Sequence, residues 1–134
     1  LQVKEDIQSF MWKCAGVVRH KKYLTYALQQ LTKYQNISLI TGSSLRNNEK
    51  LIASLDVRNM LPTCDMILRS ALYRTESRGA HYRSDYPQLD QKWRKNVMCI
   101  PTKKGILISS RRVLKIPKEI QTYLRLKPRT HLLE

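Results

Sequence analysis

The chain has 134 residues, 42% hydrophobic and 26% charged, which suits one domain with a modest core. Lys and Arg number 25 against 10 Asp and Glu, a net charge of +15, and residues 91–134 hold twelve of those cations against two acids, Glu119 and Glu134. No stretch reaches the ~18 consecutive apolar residues of a membrane-spanning helix, and residues 1–6 do not read as a secretory signal, so we expect neither.

In chain order, Ile7, Phe10, Met11 and Cys14 recur at the spacing of one helical face, widened by Trp12 and Ala15, and predict a helix over residues 4–15. Residues 17–20 read as a connection. Leu24, Ala27, Leu28 and Leu31 predict a second helix over about 20–35. Residues 36–48 read as a loop, with Ile37, Leu39 and Ile40 tucked onto the core, the turn signal Thr41-Gly42-Ser43-Ser44, and Asn47 or Asn48 as cap for the next helix. That third helix is expected over about 48–76, its stripe running through Leu51, Leu55, Val57, Met60, Leu61, Cys64, Ile67, Leu68, Ala71 and Leu72. Pro62 lacks a backbone donor and predicts a kink or break near 58–62. Gly79 is placed to end that helix or to turn the chain just beyond it.

After Pro87 the pattern changes. Residues 97–100 and 106–108 are short apolar runs around Lys103-Lys104-Gly105, the signature of a small hairpin with a glycine turn. Pro117 is placed to open a short helix. The fold expected from these elements is mainly α: a three-helix up-down bundle, spectrin-repeat-like, with a small β-hairpin and an irregular C-terminal tail. Residues 1–90 form the bundle and residues 91–134 a basic tail packed on it, together one domain. Because the chain starts at Leu1 without Met, we expect it to be part of a longer protein.

The sequence has no glycine-rich dinucleotide fingerprint, no P-loop and no nucleophile elbow. Cys14, Cys64 and Cys99 lie far apart with no zinc spacing; Cys14 and Cys64 fall on apolar faces and read as buried thiols in a reducing, cytoplasmic setting. His20, His81 and His131 are scattered. Only His81 stands among charges, with Glu76, Arg78, Arg83 and Asp85 around it. A carboxylate beside an imidazole and paired arginines suits a dicarboxylate or phosphate ligand. The same residues also suit a charge network that satisfies a helix end and docks another surface, and we favour that role. The basic C-terminal third allows an acidic protein, an anionic lipid or nucleic acid as partner. No helix-turn-helix or aromatic RNA motif accompanies it, although Tyr23, Tyr26 and Tyr34 mix with Lys21, Lys22 and Lys33.

The segment from residue 74 to 87 reads Arg-Thr-Glu-Ser-Arg-Gly-Ala-His-Tyr-Arg-Ser-Asp-Tyr-Pro, followed by Asp90 and Trp93; upstream lies Met11-Trp12-Lys13-Cys14-Ala15-Gly16-Val17-Val18-Arg19. This resembles the C-terminal domain of the succinate dehydrogenase/fumarate reductase flavoproteins over residues 5–115, with L-aspartate oxidase as a close relative. The resemblance implies an FAD-dependent parent that moves a hydride between a succinate-like substrate and flavin. It also implies that the FAD-binding and capping domains of the same chain, and an iron–sulfur subunit, are the partners. It assigns no catalytic, cofactor or metal residue to this segment. Glu76, Arg78, His81, Arg83, Asp85 and Trp93 are then interface and docking residues. The segment by itself is expected to be inactive and to bind no FAD, with no nucleic acid partner and only indirect membrane association. The rival readings are an L-aspartate oxidase C-terminal domain and a stand-alone basic helical module that binds nucleic acid.

Overall fold

Apolar side chains repeating along one face fix the helices. In the computed structural model, which describes residues 2–34, 48–103, 105–118 and 120–121, α1 spans Gln2–Ala15, α2 Lys21–Thr32 and α3 Glu49–Tyr73. Ile7 and Cys14 of α1, Leu24, Ala27 and Leu31 of α2, and Val57, Cys64, Leu68 and Ala71 of α3 are buried together. Each helix touches the other two, and Phe10 stacks on Tyr34 with ring centroids 6.4 Å apart. The start signals are side chains. His20 Nδ1 accepts the Lys22 N–H at 3.0 Å at the head of α2, and Asn48 Oδ1 accepts the Leu51 N–H at 3.0 Å at the head of α3.

Of the kink or break expected near Pro62, the break does not occur: α3 is one continuous helix with Pro62 inside it. The residue four positions earlier, Arg58, is exposed, as Pro62 is, so the carbonyl that loses its donor lies on the solvent side of the helix. α3 ends at Tyr73, three residues before the expected end. The loop expected over 36–48 lies outside the described residues apart from Asn48, and so does the C-terminal tail after residue 121.

The mainly α, spectrin-repeat-like bundle with an irregular tail is corrected by the strands. The fold is mixed, three helices with two small two-stranded sheets. One sheet pairs β1, Val18–Arg19, in parallel with β2, Tyr82–Arg83. Two residues are too few to show an alternating pattern, so the sequence marks this pair only as a connection. The other sheet is an antiparallel hairpin of β3, Lys95–Thr102, and β4, Gly105–Arg112, from Lys95↔Arg112 to Thr102↔Gly105. It was expected as a short feature. It extends to eight residues per strand because polar residues at both ends keep pairing after the apolar runs stop. α3 meets the hairpin at Ser70 Oγ, 3.2 Å from Cys99 Sγ, and at the Tyr73 hydroxyl, which donates to Ser110 Oγ at 3.3 Å.

Leu68 has no exposed surface and sits where the three helices meet. Leu68→Ala is expected to lower unfolding stability by about 2–5 kcal/mol in urea titration, whereas exposed Ile52→Ala is expected to change it by less than about 0.5 kcal/mol.

Candidate functional site

The bend over residues 74–93 follows α3 and carries the densest polar network among the described residues. It starts with a problem of backbone chemistry. A helix leaves its last carbonyls without donors, and α3 ends inside the molecule rather than in water. Arg83 supplies the donors. Its Nη1 donates to the carbonyl of Ala71 at 2.6 Å and reaches those of Arg74 at 3.2 Å and Leu72 at 3.4 Å. Only 1% of Arg83 is exposed, so its charge needs a counter-ion. Asp85 provides it through two parallel bonds, Nε to Oδ1 at 2.7 Å and Nη2 to Oδ2 at 2.6 Å. Tyr86 covers the guanidinium with its ring centroid 5.1 Å away. Asp85 Oδ2 also accepts the Lys21 N–H at 3.3 Å, which sets a carboxylate at the N-terminus of α2.

The same logic holds at α1. Arg19 Nε donates to the carbonyls of Ala15 at 3.1 Å and Gly16 at 3.0 Å, closing that helix end. Arg19 Nη1 then donates to His81 Nδ1 at 2.8 Å, and His81 Nε2 stands 3.4 Å from the Arg74 carbonyl. These partners assign a neutral imidazole with its proton on Nε2. Burial comes first among the causes that push the His81 pKa below its ordinary value; the nearby charges of Arg19, Arg83 and Arg74 add to it, and the Arg74 carbonyl acts the other way.

Glu76 organises the outer half of the bend. It is fully buried, and both its oxygens are occupied. Oε1 accepts from Arg74 Nη1 and from Arg78 Nε at 2.7 Å; Oε2 accepts from Arg78 Nη2 at 3.1 Å and from the Asp90 N–H at 3.0 Å. Burial alone would raise its pKa. The bonds from Arg78, the Asp90 backbone and Arg74 outweigh burial and hold it at about 2. The Arg83 bonds likewise hold Asp85 at about 2. Arg74 continues to the Trp93 carbonyl at 3.0 Å and the Lys95 carbonyl at 2.6 Å, so the hairpin hangs from the end of α3. Trp93 packs edge-on against Tyr73 at 5.4 Å and donates from Nε1 to Thr75 Oγ1 at 2.9 Å. Ser77 Oγ accepts the Arg83 N–H at 2.8 Å and donates to the Tyr86 carbonyl at 2.8 Å. The chain reverses between Arg78 and His81, which exchange backbone bonds of 2.8 and 3.0 Å around Gly79 at φ +56°, a conformation that suits glycine.

The structure thus brings Glu76 and Arg78 together, Arg83 and Asp85 together, His81 against Arg19, and Trp93 under Arg74. Glu76 and Arg83 are buried within this chain; Arg78, His81, Asp85 and Trp93 are half-buried. Arg19, Arg74, Thr75, Ser77, Tyr86 and Asp90 also contribute and lie outside the six residues singled out from sequence. A basic residue just past a helix end was the readable signal for Arg19. Among the described residues no group of His, Cys, Asp and Glu is arranged to hold a metal ion. No buried side-chain polar atom among them lacks a partner.

Known proteins share this outline. Residues 4–130 match the family model described as fumarate reductase flavoprotein C-term. The chain is 29% identical to a subunit of the fumarate reductase (CoM/CoB) of Methanothermobacter marburgensis, over 72% of this chain and 18% of that protein. It is 36% identical to the L-aspartate oxidase of Acinetobacter baylyi, over 75% of this chain and 18% of that protein. It therefore spans less than a fifth of the length of the curated relatives it matches. In fold it is similar to the FrdA chain of Escherichia coli quinol fumarate reductase, at a TM-score of 0.76 and 19% identity, over 87% of this chain and 21% of that one.

Two outcomes are expected. Arg83→Met leaves Asp85 and the last α3 carbonyls without their donor, and is expected to cost about 3–5 kcal/mol in chemical denaturation. The lowered His81 pKa means that the unfolded chain binds the proton more readily, so its share of stability is complete above about pH 6.5 and is lost as pH falls through the lowered value. Tm is expected to fall between pH 7 and pH 5, and His81→Gln is expected to flatten that slope.

Proposed function

The chain belongs to the family of fumarate reductase flavoprotein C-terminal domains, and from that premise we propose that it is the scaffold of an FAD-dependent oxidoreductase acting on a dicarboxylate of the succinate type. The observation that carries this reading is the bend: its carboxylates and arginines bond one another and the helix ends, leaving a shaped surface rather than a reactive group. The six residues singled out from sequence divide their work. Glu76, Arg83 and Asp85 set the shape, and half-buried Arg78, His81 and Trp93 face the body of the parent protein. Exposed apolar groups at the end of α1 and on β1 support docking. Trp12 is 77% exposed, Val17 75%, and Val18 stands opposite Tyr82 of the bend across the parallel pair.

FAD belongs, on this reading, to parts of the parent outside this segment. In support of that reading, the N-terminus of α2 is taken by His20 and Asp85, and that of α3 by Asn48, which leaves neither open to a pyrophosphate. Flavin supplies the hydride chemistry in the parent, and this chain supplies position. An iron–sulfur subunit as electron partner and a cytoplasmic location are part of the same proposal. Among the described residues no helix is long and apolar enough to cross a membrane. The 36% identity to an L-aspartate oxidase favours a second reading, in which the parent oxidises L-aspartate.

The test is the intact protein of which this chain is a part. It is expected to carry FAD and to reduce fumarate with a reduced dye, and Trp12→Glu combined with Val17→Glu is expected to lower flavin retention while the isolated chain keeps its Tm. Oxidation of L-aspartate by molecular oxygen would select the second reading. An intact protein without flavin would overturn both.

A further inference from the structure

Past the outer end of the bend lies an open cleft of about 680 Å³, bounded by Gln91 and Lys92, the joined ends of β3 and β4, and the segment after β4. Among the described residues its lining holds five cations, Lys92, Arg94, Lys95, Arg112 and Lys115, and no acid. None of the five is in an ion pair among the described residues. Val113, Leu114 and Ile116 add aliphatic surface to the same cleft, with Leu114 78% exposed. Glu76, Arg78, His81, Arg83 and Asp85 do not line it.

The hairpin register gives a second observation. Lys95 and Arg112 are direct cross-strand partners, so two like charges face each other at the open end of the sheet. Such a pair weakens strand association. The next pair, Asn96 opposite Arg111, brings no acid to compensate. A carboxylate seated between Lys95 and Arg112 removes the repulsion and supplies a counter-charge that the described residues do not.

We propose that this cleft binds an acidic segment of a partner protein, an extended stretch in which carboxylates alternate with aliphatic side chains. The carboxylates meet the cationic rim, and the aliphatic groups meet Val113, Leu114 and Ile116; a polar rim around an apolar centre is the usual anatomy of a protein interface. The other anionic partners fit less well. A small ligand would remain mostly uncovered in so open a cleft. Single-stranded nucleic acid binds on exposed aromatic platforms, and the lining contains no aromatic ring. A bilayer surface does not enter a concavity. The proposal stands apart from the family reading, because it needs neither flavin nor the parent's activity.

Fluorescence anisotropy on the purified chain tests it, with a labelled peptide of alternating glutamate and leucine as the probe. The comparison ligands are a glutamate–serine peptide of equal charge, an oligothymidine and phosphatidylserine vesicles. The glutamate–leucine peptide is expected to bind most tightly, with affinity falling as salt rises. Lys95→Glu places an acid opposite Arg112. It is expected to weaken peptide binding at least about tenfold while leaving Tm equal or higher. Leu114→Ser, at an exposed position that folding does not depend on, is expected to weaken binding of the leucine peptide and not of the serine peptide. Lys22→Glu, on α2, is expected to leave binding unchanged. Failure of the peptide to bind at physiological salt, equal losses from Lys95→Glu and Lys22→Glu, or tighter binding of the oligonucleotide or the vesicles would each overturn the proposal.

Discussion

The guanidinium of Arg83 is the constraint on which the rest of this structure depends. It lies beneath the end of α3 with 1% of its surface exposed, bonded to helix carbonyls on one side and to Asp85 on the other. Each half of that arrangement requires the other. Without the carbonyls, the buried charge has too few acceptors; without Asp85, it has no counter-ion. Asp85 then carries the link onward to the first turn of α2, and Arg19, through His81, ties in the end of α1. Three helix termini are joined by side chains, two of them through arginine donors to backbone carbonyls. The short parallel pair of β1 and β2 lies where those links cross, with Arg19 and Arg83 as register partners.

The outer network extends the same principle to the hairpin. Glu76 accepts four bonds from three residues, and Arg74 passes from Glu76 to the backbone of Trp93 and Lys95. The hairpin is therefore positioned by the end of α3 as well as by the contacts of Ser70 and Tyr73 with its strands. A rigid bend of this kind presents a fixed outer surface. That suits a scaffold better than a catalytic centre, whose groups must exchange protons or bind a ligand with atoms that here already have partners. The basic cleft at the base of the hairpin is different in kind: its cations have no acid among the described residues that line it.

The helical stripes were legible in the sequence because buried positions recur with the helical period. Ile7, Leu24, Ala27, Leu31, Cys64 and Leu68 were all marked by spacing and all are buried, whereas Trp12, Leu55 and Ile67, read as part of the same stripes, are exposed at their edges. The hairpin was legible from two apolar runs around a glycine turn. Two features were not. Pro62 has a strong local meaning, but its cost depends on whether the freed carbonyl meets water, which the sequence does not state. The parallel pair of β1 and β2 is two residues long and joins positions 64 apart in sequence, so neither period nor proximity reveals it, and a fold counted from stripes alone came out too helical. In the bend the residue types were legible as a charge network, while its wiring was not. The Arg83–Asp85 pair is local, but the bonds of Arg83 to α3 and of Arg19 to His81 depend on the tertiary fold.

The chain belongs to the flavoprotein C-terminal family and spans less than a fifth of the length of its curated relatives, and the docking role proposed for the bend requires its surface to be preformed. Native-state amide hydrogen exchange tests the rigidity of that surface most directly. If the arginine-held bend is one unit with the helices, the amides of Arg83, Ser84 and Asp90, bonded to Ser77, Arg19 and Glu76, exchange only through global unfolding, with the same free energy as the Leu68 amide in α3. Exchange of those three amides through a local opening several kcal/mol below the global value would contradict the account.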